Sequence, residues 1–377
     1  KNIFVDVIHY YLAKTISLKW YLLSFLQWLN FVIDHLLRWV AAYVSGKKYK
    51  PKCSLNHTTV IVDTYVHNFS LSDSGDFKDS YFPYLHEYLS EKGFKVVVHP
   101  VLSGFKYNYF SIYNRMRKSS TQFIIQEDFL RVVDYLLAIS FPLRVLMQKI
   151  KADTFRSFDL SDVLEEEQRQ QSFSPGMQAV LMYRLFLRLG RVEIKPKTVI
   201  NWYENQVIDR ALIAGVRHSF PQAKIICVQG FVHPPNFLHL SPSQSEVEAK
   251  LVPHLLLETS QYQCQVAQMF VKDIPCMPAA ALRYSRVYDQ DTISCNGKQS
   301  ILMLLSFNIA EAVELLEILK AGLNQIREDI NILIKGHPDY DSKDLVRAFG
   351  AYNWPSRYEI FNGTLQDALN QVSLVIS

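Results

Sequence analysis

The stretch Ile332-Leu333-Ile334-Lys335-Gly336-His337-Pro338 decides how the fold is best interpreted. Its apolar start is typical of a buried β-strand, and the Gly-His-Pro that follows ends such a strand abruptly. The stretch therefore predicts Lys335 and His337 at the carboxyl end of a strand, where ligands bind in open α/β sheets. Pro338 biases His337 towards an extended backbone. A lysine and a histidine held in this way suit a phosphate or a nucleotide, and the alternative is a loop that contacts only water.

Length and composition bound the class of protein. The chain has 377 residues, 49% of them hydrophobic and 20% charged, which predicts a globular protein with two or more domains. A net charge of +4 does not indicate nucleic acid as the main partner.

The cysteines are widely separated and form no CxxC pair, which argues against a zinc site and a disulfide scaffold. They are Cys53, Cys227, Cys264, Cys276 and Cys295. We expect a reducing, cytoplasmic compartment, and neither a metal nor a cofactor.

The segment Leu18–Ser45 is strongly apolar and carries three tryptophans. Its uncharged part, Trp20–Ile33, is shorter than the roughly 20 residues that a spanning helix needs. The pattern predicts either a helix that lies in a membrane interface or one that packs on the protein, with a true span as the lesser alternative.

Strand and helix patterns alternate along the rest of the chain, which is the signature of parallel α/β domains. The first group has strands at Thr59–Val62, Phe94–Val98, Thr198–Trp202 and Lys224–Val228, helices at Asp79–Lys92 and Gln206–His218, and a mostly helical insertion at 111–190 with a polar connection at Asp162–Ser174. The second group has strands at Ser300–Leu305, Asp329–Lys335, Tyr358–Phe361 and Ser373–Ile376, and helices at Ile309–Asn324, Ser342–Phe349 and Leu365–Gln371.

The fold prediction is α/β, with two Rossmann-like domains that face each other across a cleft. We expect an N-terminal helical segment at 1–50, a catalytic domain at 51–290 and a nucleotide-binding domain at 291–377, with the boundary between Leu282 and Lys298. The chain stops directly after a predicted strand, where a Rossmann-like domain normally continues into a loop and helix. We therefore expect the second domain to be truncated.

A polar cluster follows the predicted strand Thr198–Trp202. Glu204 and Asp209 lie near the strand-to-helix turn and are candidates for a base or nucleophile, while Asn205 and Gln206 could orient a sugar hydroxyl. Helix capping by the two acidic residues is the alternative.

Other candidates lie at strand ends or at the junction of the domains. The N-terminal group consists of Asp63, Asp79, Gln229, Gly230 and His233, of which Asp79 also fits a helix N-cap. Ser306 precedes a helix whose amides favour phosphate, and Arg283 could pair with an anion or form a surface salt bridge. No dinucleotide fingerprint, P-loop, HExxH or GxSxG occurs, which disfavours the enzyme classes that carry them.

Taken together, these features resemble the GT-B glycosyltransferases, and in particular the bacterial β-Kdo and sialic acid transferases that use CMP-sugars. The resemblance covers Thr59 to Ser377. It rests on Val62-Asp63-Thr64, Lys78-Asp79-Ser80-Tyr81-Phe82, Trp202-Tyr203-Glu204-Asn205-Gln206, Arg217, Phe220-Pro221 and His337-Pro338. It implies that His337 and Pro338 contact the CMP moiety and that an acidic residue of the first domain, Glu204 or Asp209, acts as nucleophile. The C-terminal loop that usually binds the donor phosphate in this family has no counterpart in the sequence.

The resulting hypothesis is a metal-independent glycosyltransferase of capsule or lipopolysaccharide biosynthesis. It would move a Kdo-like or sialic-acid-like sugar from a CMP-sugar to a glycan or glycolipid acceptor. The donor would be bound by Lys335, Gly336, His337, Pro338, Ser306, Arg283, Gln229 and Gly230. We expect a cytoplasmic protein with peripheral membrane contact through Leu18–Ser45. A CDP-glycerol-type polyol-phosphate transferase and a non-catalytic partner in polysaccharide assembly are the alternatives.

Overall fold

Two separate parallel sheets organise the chain. The computed structural model describes all residues except 1–2, 47–58, 104–107, 149–153, 156–157, 193, 234–236, 288–299, 307, 323–324, 338–346, 348–349, 351–353, 364 and 377. The chain divides into two compact units, Lys1–Ser285 and Arg286–Ser377. The predicted α/β class, with two Rossmann-like domains, is confirmed.

The sheet of the first unit has seven parallel strands in the order β3-β2-β1-β6-β7-β8-β9. The strands of this unit are β1 Thr59–Val66, β2 Lys95–Leu102, β3 Gln122–Phe123, β4 Thr154–Phe155, β5 Phe158–Asp159, β6 Pro196–Trp202, β7 Lys224–Gln229, β8 Leu255–Glu258 and β9 Cys276–Pro278. Strands β4 and β5 form a separate antiparallel pair. The strand order reverses between β1 and β6, and this is the topological switch point at which doubly wound sheets bind ligands.

Helices cover both faces of this sheet. They are α1 Ile3–Val44, α2 Leu85–Glu91, α3 Tyr109–Lys118, α4 Val132–Ile139, α5 Phe141–Leu146, α6 Ser161–Ser172, α7 Ser174–Leu189, α8 Val207–Ser219, α9 Gln244–Glu248 and α10 Gln261–Gln268. Helices α7 and α8 pack closely on one another because Gly215 has no side chain; a Cβ there would lie 2.8 Å from Cβ of Phe186. In the part of the chain that the structure describes, no helix combines the length and apolar character needed to span a membrane.

Two details of the sequence prediction for this unit are wrong. The stretch Asp162–Ser174, predicted as a polar connection, contains most of α6 and the start of α7. Hydrogen bonds one helical turn apart support α6, from Gln170 to Glu166 and from Gln171 to Glu167. The helix predicted to begin at Asp79 begins at Leu85 instead. Asp79 organises the preceding turn, since its carboxylate accepts the backbone N–H groups of Tyr81 and Phe82.

The second unit contains a four-stranded parallel sheet in the order β12-β11-β10-β13. Its elements are β10 Ser300–Leu304, α11 Ile309–Ala321, β11 Asn331–Lys335, β12 Tyr358–Ile360, α12 Leu365–Leu369 and β13 Leu374–Ile376. The apolar run Ile332–Ile334 is buried in the centre of this sheet, as expected of a parallel strand covered on both faces. Pro338 and most of the predicted helix Ser342–Phe349 lie outside the described residues.

Candidate active site

A row of four buried polar side chains crosses the carboxyl edge of the first sheet. The strand register pairs Asp63 of β1 with His99 of β2 and with Asn201 of β6, and it pairs Asn201 with Cys227 of β7. Each of the four residues is at most 3% exposed. The row therefore spans the switch point between β1 and β6.

Hydrogen bonds connect the whole row. The Nδ1 atom of His99 hydrogen-bonds to Oδ1 of Asp63. The side-chain amide of Asn201 donates to Oδ2 of Asp63 at 2.7 Å and to Oδ1 of Asp209 at 3.4 Å. The thiol of Cys227 donates to Oδ1 of Asn201 at 3.6 Å. Because every member is held by a neighbour, the two carboxylates are fixed in position.

Asp209 belongs to this network and also caps a helix. Its Oδ2 accepts the backbone N–H groups of Glu204 at 3.1 Å and of Gln206 at 2.9 Å, and Gln206 is the N-cap of α8. Burial raises the pKa of Asp209 to about 7, the two backbone hydrogen bonds oppose this, and the nearby Asp63 adds to it. A carboxyl group with this pKa exchanges protons near neutral pH, as a general acid or base must. Asp209 therefore caps α8, as the alternative interpretation expects, and this does not exclude a second role as a general acid or base.

Glu204 is more accessible than Asp209 and is positioned by its neighbours. Its Oε1 accepts a hydrogen bond from Nε1 of Trp202 at 3.1 Å, and its Oε2 accepts one from Nε2 of Gln206 at 2.8 Å. Arg283 stacks close by, with its guanidinium 4.7 Å from the ring centre of Tyr81 and 5.6 Å from that of Trp202. In place of a surface salt bridge, Arg283 makes cation–π contacts beside Glu204.

Two neighbouring cavities adjoin the row. One of about 10 Å³, room for about one water, is lined by Asp63 and Asp209. A larger one of about 110 Å³ is lined by His99 and by polar residues from several other elements. Both cavities are lined by Val101, Met182 and Ile208, so they share a wall. The row is therefore adjacent to space that can hold a small polar molecule.

The larger cavity extends to the inner face of α1. His35 and Arg38 of α1 line it together with Tyr113 and Glu127. Burial, reinforced by Arg38, lowers the pKa of His35 to about 3, so its imidazole is neutral. Burial also raises the pKa of Glu127. Outside the cavity, Asp34 pairs with Arg38 at 2.8 Å and offsets its charge.

The remaining candidates of the first unit make contacts inside the fold. Asn205 has a positive φ of 52° and donates to the carbonyls of His239 and Ser241. The amide of Gln229 donates to the carbonyl of Leu240 at 2.8 Å. His233 is buried, and its carbonyl accepts a hydrogen bond from Gln263. These three residues hold the loops that follow β6 and β7.

Gly230 makes room for an aromatic ring. A Cβ at this position would lie 2.4 Å from Cζ3 of Trp202. The indole of Trp202 donates a hydrogen bond to Glu204. By leaving room for this indole, Gly230 therefore helps to position Glu204. The sequence predicts Gly230 as a donor-binding residue, and in the structure the space beside it is occupied by Trp202.

The candidates of the second unit follow its strand ends. The ammonium of Lys335, at the end of β11, donates to the carbonyl of Gly363 at 2.5 Å, and Gly336 and half-buried His337 follow it. The hydroxyl of Ser306 hydrogen-bonds to Glu311, in the first turn of α11. This acidic side chain lies where the predicted phosphate would approach the helix N-terminus.

Sequence reasoning missed three polar residues of the strands. His99 and Glu258 each come directly after an apolar run, as Asp63 does, so the rule that found Asp63 would have found both of them. Asn201 stands inside its strand, between Ile200 and Trp202. Both carboxylate oxygens of Glu258 are buried without a hydrogen-bond partner among the described residues. Burial raises the pKa of Glu258 to about 8, so this carboxyl is mostly protonated at neutral pH.

Comparison with known proteins gives similarity to solved structures alone. No protein-family model and no curated protein sequence matches the chain. A glycosyltransferase from Rickettsia africae matches with 9% identity and a TM-score of 0.42, over 85% of this chain and 73% of its own. A UDP-forming α,α-trehalose-phosphate synthase from Burkholderia vietnamiensis matches with 9% identity and a TM-score of 0.42, over 83% and 75%. S. aureus MnaA, solved with UDP, matches with 11% identity and a TM-score of 0.41, over 84% and 73%. At 11% identity or less, these matches are similarities of fold alone.

Proposed function

We propose that the chain is a glycosyltransferase that moves an acidic sugar, of the Kdo or sialic acid type, from a CMP-sugar to a bacterial surface glycan. The observation that carries the proposal is the buried row His99–Asp63–Asn201 with Asp209, at the switch point of the first sheet. Two fixed carboxylates beside a cavity suit a reaction in which positive charge develops on a sugar carbon.

The donor requires groups that neutralise a single phosphate. Lys335 and His337 follow a strand of the second unit and supply a cation and an imidazole without a metal. Lys335 would exchange its hydrogen bond to Gly363 for one to the donor phosphate. The assignment of CMP rests on the resemblance of His337-Pro338 to the CMP-binding residues of the Kdo and sialic acid transferases.

The chemistry assigns the carboxylates one of two roles. As a nucleophile, Glu204 or Asp209 attacks the anomeric carbon while the bond to the CMP oxygen breaks and CMP leaves with the electron pair. The acceptor hydroxyl then attacks the same carbon, the carboxylate is released, and the hydroxyl proton passes to a base. As a base, the carboxylate takes that proton during a single direct displacement. The first route retains the configuration of the sugar and the second inverts it.

The acceptor in this proposal enters the cavity of about 110 Å³ beside the row. Neutral His35 and the carboxyl of Glu127 offer hydrogen bonds to sugar hydroxyls. His99 lines the same cavity and is oriented by Asp63, so it is a further candidate for the base that receives the acceptor proton. A glycolipid acceptor would bring the enzyme to the cytoplasmic face of the membrane, in line with the exposed apolar residues of α1.

Donor screening tests the proposal. The purified chain is incubated with CMP-Kdo, CMP-sialic acid or CDP-glycerol, and release of CMP and thermal shifts with CMP are measured. We expect CMP to raise the melting temperature and one of the two CMP-sugars to be turned over. Turnover of CDP-glycerol alone would indicate a polyol-phosphate transferase. The absence of both a CMP-induced shift and turnover would indicate a non-catalytic partner.

A further inference from the structure

The outer face of α1 is an extended apolar surface that the described residues leave exposed. Between Tyr21 and Val44, thirteen large apolar side chains are at least 36% exposed. They are Tyr21, Leu22, Leu23, Phe25, Leu26, Leu29, Ile33, Leu36, Leu37, Trp39, Val40, Tyr43 and Val44. At 1.5 Å per residue this stretch is about 36 Å long. Apolar surfaces of this extent mark contacts with another molecule or with a membrane.

Between Tyr21 and Val44, this face of α1 carries no exposed acidic side chain. The charged residues between Tyr21 and Val44 are Asp34 and Arg38, which pair with each other at 2.8 Å and are each less than 20% exposed. Both also contact Tyr109 of α3, which lies on the protein side of the helix. Between Tyr21 and Val44 the helix thus directs its charges inward and its large apolar side chains outward.

Helices α4 and α5 extend the apolar face beyond α1. Their exposed large apolar residues, together with the residue that follows α5, are Val132, Val133, Leu136, Leu143, Leu146 and Met147. A groove of about 460 Å³ runs between them and α1, lined by Phe25, Trp28 and Leu136 among other residues. The indole of Trp28 donates to the carbonyl of Ile139 at 3.0 Å and so fixes α1 against the end of α4. The three helices therefore form one surface, which we call the α1–α4–α5 face.

The exposed charges on this face are positive. In the segment 129–148, Arg131 and Arg144 are exposed. The one acidic residue of that segment, Asp134, is buried in ion pairs with Arg184 at 2.6 Å and Arg188 at 2.8 Å. An apolar face with tryptophan and tyrosine and with exposed arginines matches the chemistry of an anionic bilayer surface. Among the described side chains of these three helices, a second copy would offer no exposed carboxylate to these arginines, and Glu166 of α6, beside the groove, is already paired with Arg169.

We propose that the α1–α4–α5 face docks on an anionic membrane surface, with α1 lying in the interface and the groove accommodating lipid hydrocarbon. The inference adds a second wall, formed by α4 and α5, to the membrane contact expected of Leu18–Ser45. Membrane docking itself does not depend on the proposed function. Only the glycolipid acceptor that docking would bring to the site rests on that function.

Vesicle sedimentation with matched variants tests this surface. The full chain is mixed with vesicles of phosphatidylcholine, with or without phosphatidylglycerol, and no sugar donor is added. Leu136→Asp places a charge in the groove, and Leu238→Asp is the control, since the two leucines are 60% and 59% exposed. We expect Leu136→Asp to lower binding to the anionic vesicles about tenfold or more, while Leu238→Asp binds like the wild type.

The double variant Arg131→Gln/Arg144→Gln tests the charge. We expect it to lose binding to phosphatidylglycerol vesicles and to abolish the difference between the two vesicle types. Equal binding of Leu136→Asp and wild type would overturn the proposal. The proposal would also be overturned if the wild-type chain did not bind vesicles but formed a dimer, and if Leu136→Asp dissociated that dimer. Because the assay contains no nucleotide, its failure leaves the CMP-binding result unaffected.

Discussion

The carboxyl edges of the two sheets have similar strand topology but opposite exposure. In the first unit the polar row of His99, Asp63 and Asn201 is almost completely buried and internally hydrogen-bonded. In the second unit Lys335 and Ser306 are partly exposed. The ammonium of Lys335 donates to the carbonyl of Gly363 and lies 5.9 Å from the ring centre of Phe361. The hydroxyl of Ser306 hydrogen-bonds to Glu311 and accepts the backbone N–H of Asn308. Buried networks fix geometry, which catalysis needs, whereas exposed groups exchange partners at low cost, which ligand binding needs. The contrast is consistent with the proposed function, in which the first edge carries the chemistry and the second binds the donor.

The largest effects should come from the carboxylates of the first edge. We expect Glu204→Gln or Asp209→Asn to bind CMP normally and to transfer sugar at least ~100-fold more slowly. If Asp209 must be ionised, the wild-type rate should rise with pH through about 7, where its raised pKa lies. Single-turnover rates between pH 5 and 9 measure both effects.

The product distinguishes the roles of the carboxylate. Retained configuration with a trapped sugar–enzyme adduct would assign a nucleophile, and an inverted product would assign a base. Full activity in both variants would show that the two carboxylates only support the start of α8.

Glu258 tests whether burial at the first edge has a cost in stability. Its pKa is about 8 in the folded chain against an ordinary value of 4.5, so the folded state holds a proton that the unfolded state releases. The wild-type free energy of unfolding should therefore fall as pH rises from about 5 to 8, by up to roughly 1.4 kcal/mol per pH unit from this group. We expect Glu258→Gln to lose this part of the pH dependence and to be the more stable protein at pH 8.

Urea unfolding followed by tryptophan fluorescence measures the difference between wild type and Glu258→Gln. The exposed Glu248, on α9, provides the control Glu248→Gln, which should retain the wild-type pH dependence. An identical pH dependence in all three proteins would contradict the raised pKa of Glu258.

Substitutions at the second edge should weaken binding without slowing chemistry. We expect Lys335→Ala and His337→Ala each to lower CMP affinity about tenfold, because a charge-assisted phosphate contact contributes roughly 1.5–3 kcal/mol. Melting temperatures should stay close to wild type, since both side chains lie at the end of β11 and neither is buried. Calorimetric titration with CMP measures the effect, with Lys320→Ala at the end of α11 as the control. Unchanged CMP affinity in both edge variants would remove the donor assignment from this unit.

The sequence predicts the strands well because both units are built from short apolar runs bounded by polar or turn residues. Ile332–Ile334 and Thr59–Val62 are recognisable because a parallel strand buried on both faces tolerates few polar residues. The same pattern singles out Asp63, which comes directly after the run Thr59–Val62, although β1 continues to Val66. His99 follows Val96–Val98 in the same way, and only the register between β1 and β2 shows that it meets Asp63.

Other features depend on contacts between segments that are far apart in the chain. The cavity of about 110 Å³ is lined by Arg38 of α1 and by Glu127 of the helical insertion, which are 89 positions apart in the chain. The helix α6 was missed because its polar sequence lacks an apolar face and is supported by side-chain pairs instead. Gly230 shows a further limit, since only the packed structure reveals that Trp202 occupies the space beside it.

The smallest expected effect concerns an exposed contact of the first edge. The amide of Gln206 donates to Oε2 of Glu204 at 2.8 Å on the surface, while Trp202 holds the other oxygen at 3.1 Å. Gln206→Ala removes one of these two restraints and leaves the buried row intact. Since an ordinary exposed hydrogen bond contributes about 0.5–1.5 kcal/mol, we expect the transfer rate to fall about threefold to tenfold, with no change in CMP affinity. Gln244→Ala is the matched control, because Gln244 makes a similar contact with Glu248 on α9, away from the row. If Gln206→Ala slowed the transfer rate as much as Glu204→Gln does, the orientation of Glu204 would depend on this surface contact. The contrast between a first edge with fixed side chains and a second edge whose side chains exchange partners would then not apply to Glu204.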